Sequence, residues 1–288
     1  MTIRGLVSNA MKPDLLNFLV TNIIPRRFAS HCVGRISRSE NRIVCGVSLW
    51  LWRRFADLDL ADADRTQFCS MHDCFTRRLK PGARPIDPDP AVIVSPCDAI
   101  LGAHGTVCDA MALQVKGMPY ALSDLLGDAD HAAACEGGTF ITLRLTSSMY
   151  HRFHAPHDCR IERVRHIFGD RWNVNPPTLS RVSRLFCRNE RVVLRGLLLA
   201  GEQPMTLVAV GAILVSGIRL GFLPLHARAP LPVDEIYACD TVFAKGEEIG
   251  WFEHGSTIIV LLPRGMCVSA GLQEGDDIRL GQRLAQAV

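Results

Sequence analysis

The sequence predicts an α+β protein, with a helical N-terminal region followed by a mainly antiparallel β body with barrel-sandwich-like hairpins. Three observations predict it. Apolar residues recur at helical spacing before residue 80, a proline-dense segment follows, and beyond it the apolar runs shorten to strand length between turn residues. The 288 residues leave room for two parts. The boundary falls between a helical region, 1–80, and a β-rich body, 81–288.

The first helix rests on Leu15, Leu16, Leu19 and Ile23, with Phe18 widening the stripe. A second apolar segment runs from Ile43 to Trp52 and ends in Arg53-Arg54. A third helical stretch is expected from about Asp62 to Leu79. Pro81, Pro85, Pro88 and Pro90 then stop any helix and break any central strand. Strands are expected at Ala91–Val94, Thr139–Leu145, Arg191–Leu199, Met205–Val215 and Thr257–Leu262, with a short helix near Ser123–Leu126. Segments starting at Ser95, Gly246 and Leu272 read as strand–turn–strand pieces.

Charge and cysteine content narrow the class. A net charge of +3 argues against a nucleic-acid binder. Residues 1–60 nevertheless hold nine Lys/Arg against four Asp/Glu. An apolar stripe beside arginines, with Trp50 and Trp52 near its ends, suits an anionic bilayer surface. The plainer reading is a helical subdomain packed on the body. No apolar run reaches the ~18–20 residues that span a bilayer. Eleven cysteines without a CxxC pair, behind a start lacking a secretory signal, point to reduced thiols in a cytosolic compartment. They are expected as small buried hydrophobes, since the closest pair, Cys69 and Cys74, has no second pair at zinc spacing.

Three clusters hold chemistry. They are Ser95-Pro96-Cys97-Asp98, then Tyr150 to Asp158 with His151, His154 and His157, and last His254-Gly255-Ser256-Thr257 ahead of an apolar strand. Pro156 interrupts the histidine run, and residues three apart on a strand face opposite ways, so a metal cage is a poor reading. Histidines in different environments suit proton transfer better. Ser256 at the head of an apolar strand is a candidate nucleophile that needs a base. Asp98 and His154 are candidate partners.

In order and spacing these clusters resemble the phosphatidylserine decarboxylase family. SPxD at Ser95–Asp98, YHRxHxP at Tyr150–Pro156 and GST at Gly255–Thr257 carry the resemblance. FTRRLKPGARPI at Phe75–Ile86, LFCRNERVVL at Leu185–Leu194 and VGAILVSGI at Val210–Ile218 add to it. The family implies a proenzyme. Asp98, His154 and Ser256 would form a self-cleavage triad, and Ser256 Oγ would attack the Gly255 carbonyl. The products would be a β chain, 1–255, and an α chain, 256–288, headed by a covalent pyruvoyl group, the pyruvate cofactor, made from Ser256. That ketone would decarboxylate phosphatidylserine to phosphatidylethanolamine and CO2 through a Schiff base. His151 would serve the decarboxylation step, as acid or in positioning the carboxylate. A ketone is the electron sink that no side chain supplies.

The family also implies peripheral attachment to an anionic membrane, here through residues 1–80, on the cytoplasmic face of the cell membrane. Homo-oligomerisation is left open, and no nucleic-acid or metal partner is expected. The sequence departs from the family pattern at Ala99, Met149 and His254, none of them a triad position. Rival readings are a serine hydrolase built on Ser256, His154 and Asp98, an unprocessed lipid-binding pseudoenzyme, and a carrier module using Lys245.

Overall fold

The computed structural model describes residues 34–56, 58–114, 117–212, 217–225, 234–253 and 256–287. The first helical stripe, Leu15–Ile23, lies outside them. After a helical turn at 34–37 comes α1, Arg42–Phe55. Asn41 caps it by accepting from the amides of Ile43 and Val44, and Arg53 and Arg54 face the negative end of its dipole. The expected third helix is a correction. Only α2, Met71–Phe75, forms, while Asp59 and Asp73 carboxylates accept from the Ala61 and Cys69 amides. Such local bonds compete with a helix.

The body then runs in order. It begins with β1 Val92–Val94, β2 Ala99–Thr106, β3 Met111–Leu113, β4 Pro119–Ala121, α3 Leu122–Leu126, α4 Ala129–Ala134 and β5 Thr139–Leu145. Next come β6 Arg152–His154, β7 Cys159–Ile167, α5 Pro176–Leu179, α6 Leu185–Arg188, β8 Arg191–Leu198 and β9 Gln203–Gly211. The last strands are β10 Ile218–Leu220, β11 Glu235–Phe243, β12 Glu248–Phe252, β13 Ser256–Leu262, β14 Met266–Val268, β15 Asp277–Ile278 and β16 Arg283–Ala287.

An open eight-stranded sheet, ordered β11-β7-β8-β9-β13-β5-β2-β15, forms the centre. Its neighbouring strands all pair antiparallel. Strand β13 is central because Ser-Thr-Ile-Ile-Val-Leu-Leu buries every residue, and β-branched side chains suit a strand covered on both faces. Ile258, Val260 and Leu262 point into one core with Leu143, Phe153 and Phe252. Ile259 and Leu261 point into a second core with Leu125, Leu179 and Phe186, under the helices. Three small sheets, β1-β16-β14, β10-β12-β6 and the β3-β4 pair, complete the described body.

The α+β expectation therefore holds in its coarse form, while the described strands form open sheets and no closed barrel. The strand–turn–strand tail is present, but its two strands separate: β15 pairs with β2, and β16 with β1 and β14. Of the described cysteines, Cys45, Cys74, Cys97 and Cys159 are buried, whereas Cys69 and Cys108 are exposed, unlike the buried role expected of them.

The N-terminal region has its own small core of Trp52, Cys74 and Phe75. Trp52 is thus interior, not a surface anchor. The outer side of α1 exposes Ile43 at 76%, Trp50 at 64%, Val47 and Leu51. No described helix is long and apolar enough to cross a membrane.

Candidate active site

The sheet registers gather the three sequence clusters at one end of the body. Ser256 opens β13, opposite Leu145 on β5 and Gly211 on β9. Ile100 pairs with Arg144, so Asp98 lies at the same end, two strand spacings or about 10 Å across the sheet. The His154 amide donates to the Pro96 carbonyl at 2.8 Å, and the Val94 amide to that of Pro156 at 2.9 Å. These bonds lace the first cluster to the second. Pairing of β6 with β12 sets His154 opposite Glu248, and the Phe252 amide donates to the His151 carbonyl at 2.9 Å. Both histidines therefore flank the chain that runs towards Ser256. Gly255 and His254 lie outside the described residues.

Ser256 is fully buried, and its Oγ has no hydrogen-bond partner among the described residues. An unpartnered buried hydroxyl is costly, and here it sits where the sequence places the nucleophile. His154 Nδ1 lies 2.9 Å from the Gly246 carbonyl and Nε2 lies 3.1 Å from the Tyr150 hydroxyl. A carbonyl only accepts, so Nδ1 carries the proton and Nε2 presents the lone pair. Burial holds His154 below the usual imidazole value, keeping the ring a neutral base at neutral pH. Burial likewise pushes the Tyr150 phenol up, so it stays a donor.

Asp98 is held elsewhere. Arg84 Nε donates to both of its oxygens at 2.9 and 3.1 Å, Arg84 Nη2 to Oδ2 at 2.6 Å, and the Leu280 amide to Oδ1 at 2.9 Å. Arg84 also reaches Asp62 at 2.8 Å. No hydrogen bond joins any two of Asp98, His154 and Ser256 in this arrangement. His151 is fully buried, with Nδ1 2.8 Å from the Met149 carbonyl. Its ring centroid lies 3.9 Å from that of Phe75, so the N-terminal core meets the site here. His157 turns away to the Pro90 carbonyl at 2.8 Å. The three histidines have separate partners and do not converge.

Two cavities flank the site and share Leu79, Arg84 and Tyr150. One of about 650 Å³ opens onto His154, Phe222 and Gly246. One of about 270 Å³ opens onto Asp98 and Ser148. A third, of about 440 Å³, sits by Leu261 and Leu262 at the far end of β13. Sequence reasoning assigned no role to Arg84 or Tyr150, though both lie in the quoted motifs. It also passed over Glu253, whose partner Arg38 is 215 positions away. Lys245 Nζ donates to the Asp89 carbonyl at 2.7 Å, tied down at a turn.

Comparison with known proteins bears on the same residues. The family profile described as phosphatidylserine decarboxylase matches residues 71–286. A relative from Halorhodospira halophila, named phosphatidylserine decarboxylase proenzyme, is 35% identical over 97% of this chain and 96% of its own. Relatives of the same name come from Brevibacillus brevis, 32% identical over 91% and 94%, and Xanthomonas axonopodis, 34% identical over 93% and 97%.

Proposed function

The chain belongs to the phosphatidylserine decarboxylase family, and from that premise we propose that it is a proenzyme that cuts itself before residue 256 and then decarboxylates phosphatidylserine. The single observation that carries the reading is the buried Ser256 hydroxyl at the head of β13, which has no hydrogen-bond partner among the described residues. It supports a reaction on the chain's own backbone, since the nearest carbonyl ahead of it is that of Gly255.

In the first stage His154 Nε2 accepts the Ser256 Oγ proton, exchanging its present Tyr150 partner for the serine. Ser256 Oγ attacks the Gly255 carbonyl carbon, and the peptide C–N bond gives way to an ester. Loss of the Cα proton of 256 expels the Gly255 carboxylate and leaves a dehydroalanine. Water then replaces the nitrogen, which departs as ammonia, and residue 256 ends as a pyruvoyl ketone. Asp98 supports the base electrostatically, with Arg84 fixing its carboxylate. A dry position at 256 fits such a group, because its neighbours Leu145, Ile258 and Phe153 are apolar and buried.

In the second stage the ketone supplies an electron sink for the pair left by departing CO2. The chain's own residues do the rest. His151, buried against Phe75, positions the carboxylate or returns a proton to carbon. The 650 Å³ cavity beside His154 admits the serine headgroup. Region 1–80 serves as the membrane-associating part and 81–288 as the catalytic part. Ile43, Val47, Trp50 and Leu51, beside Arg42, Arg53 and Arg54, enter the interface of an anionic bilayer. We assign the cytoplasmic face of the cell membrane, where the thiols stay reduced.

The test is an intact mass of the purified chain under denaturing conditions. Two pieces, 1–255 and 256–288 with a pyruvoyl terminus, support the reading. An unbroken chain in a preparation that decarboxylates phosphatidylserine overturns it.

A further inference from the structure

A charge cluster outside the proposed triad holds the segment that runs into the scissile bond. Glu253 follows β12, and only His254 and Gly255 separate it from Ser256. Its side chain is 8% exposed. Arg38 Nη2 donates to Oε2 at 2.9 Å. Arg219 Nε lies 3.4 Å from Oε1, and His72 Nε2 lies 3.9 Å from it. The Glu253 amide donates to the Gly217 carbonyl at 3.0 Å. Gly217 has φ +146°, and a Cβ there would stand 3.1 Å from Oε2. A glycine leaves that space to the carboxylate.

These partners come from separate parts of the chain. Arg38 and His72 belong to the N-terminal region, and Arg219 to β10 in the body. One carboxylate therefore ties the region with the exposed α1 stripe to the strand that delivers Ser256. Glu253 and Ser256 are three residues apart, at most about 10 Å of extended chain, so fixing Glu253 restrains the end of β12 that leads into Ser256. Attack by a hydroxyl on a carbonyl depends steeply on alignment, and an error of about 1 Å costs on the order of 100-fold in rate.

We infer that Glu253 is a positioning residue for self-cleavage: bridging Arg38 and Arg219, it sets the approach of the chain to the Gly255–Ser256 bond and makes cutting depend on docking of the N-terminal region. The inference rests on the reading that this bond is cut.

The test follows splitting of the full chain over time after cell-free synthesis, on denaturing gels, for the wild type, Glu253→Gln, Arg38→Gln, Arg38→Lys and the Glu253→Gln/Arg38→Gln double variant. Each Gln variant is expected to cut about tenfold more slowly, 1.36 kcal/mol in barrier. The double variant should be no slower than Glu253→Gln, and Arg38→Lys, which keeps the charge, should recover most of the rate. Arg38 is 45% exposed, so its replacement strands no buried cation and reports even where Glu253→Gln folds poorly. Arg38→Gln should keep the wild-type circular-dichroism spectrum while its chain splits slowly, which a general loss of structure would not allow. Wild-type cutting rates in both Gln variants, or additive losses in the double variant, would overturn the inference with self-cleavage intact. A wild-type chain that never splits would instead overturn the reading beneath it.

Discussion

Removing the arginine of the Arg84–Asp98 pair should cost the fold far more than removing the acid's charge. Arg84 and Asp98 side chains are 11% and 9% exposed, and three Arg84 bonds fall on the carboxylate. Arg84→Gln leaves a buried carboxylate with only the Leu280 amide. Breaking a buried pair this way costs ~3–5 kcal/mol, and the adjoining 270 Å³ cavity admits water, so the low end, about 3 kcal/mol, applies. Asp98→Asn keeps an oxygen for Leu280, while Arg84 retains Asp62 and the Ala83 carbonyl, each at 2.8 Å. Its cost should be about 1 kcal/mol, that of one neutralised hydrogen-bonded partner. Both changes are best made in a Ser256→Ala chain, which stays whole and permits reversible urea unfolding followed by tryptophan fluorescence. An Asp98→Asn loss equal to or above that of Arg84→Gln would refute the reasoning, because the buried charge would then not be what Arg84 sustains.

Four further outcomes are expected. Burial lowers the His154 pKa relative to the unfolded chain, so the unfolded state protonates first and stability from this group is lost as pH falls below about 6.5. The self-cleavage rate should stay flat down to that pH and fall only below it; gel time courses showing an acid limb centred above it would count against His154 as the base. His151→Ala should still split its chain but turn over phosphatidylserine about 100- to 10,000-fold more slowly, measured as CO2 release from fully cut enzyme. Gly196→Ala should destabilise the Ser256→Ala chain by about 1–3 kcal/mol in urea, because a Cβ there would stand 2.1 Å from the Arg160 carbonyl. Trp50→Ala should weaken sedimentation with phosphatidylserine vesicles by about tenfold while leaving thermal unfolding unchanged, since the ring is exposed.

The legible parts of the sequence were those whose pattern is local. Thr139–Leu145 and the Ile-rich strand after Ser256 appear almost as expected, because an unbroken apolar run between turns has few other fates. Strand β7 escaped notice for a physical reason. Cys159 and Ile161 face the core, then a register shift between Ile161 and Arg163 moves the buried set to Val164 and His166, so the two-residue period changes phase midway. Edge strand β11 shows another shift between Ala238 and Thr241 and buries only Phe243. At the site, the motifs gave Asp98, His151, His154 and Ser256. They gave no hint that Arg84 grips Asp98 or that Tyr150 occupies His154 Nε2, since neither contact leaves a periodic trace.

Strand β13 is bonded along its length to β5 on one side and β9 on the other, and it sits in the middle of the great sheet. The proposed cut just ahead of it would therefore free no peptide. In the proposed cut form the short fragment would remain the spine of the particle, clasped by β5 and β9, which belong wholly to the longer one. Separating the two by denaturation would be a one-way event, for the severed ends carry no chemistry to rejoin, and recovery would require two independent polymers to find each other and rebuild the interior together.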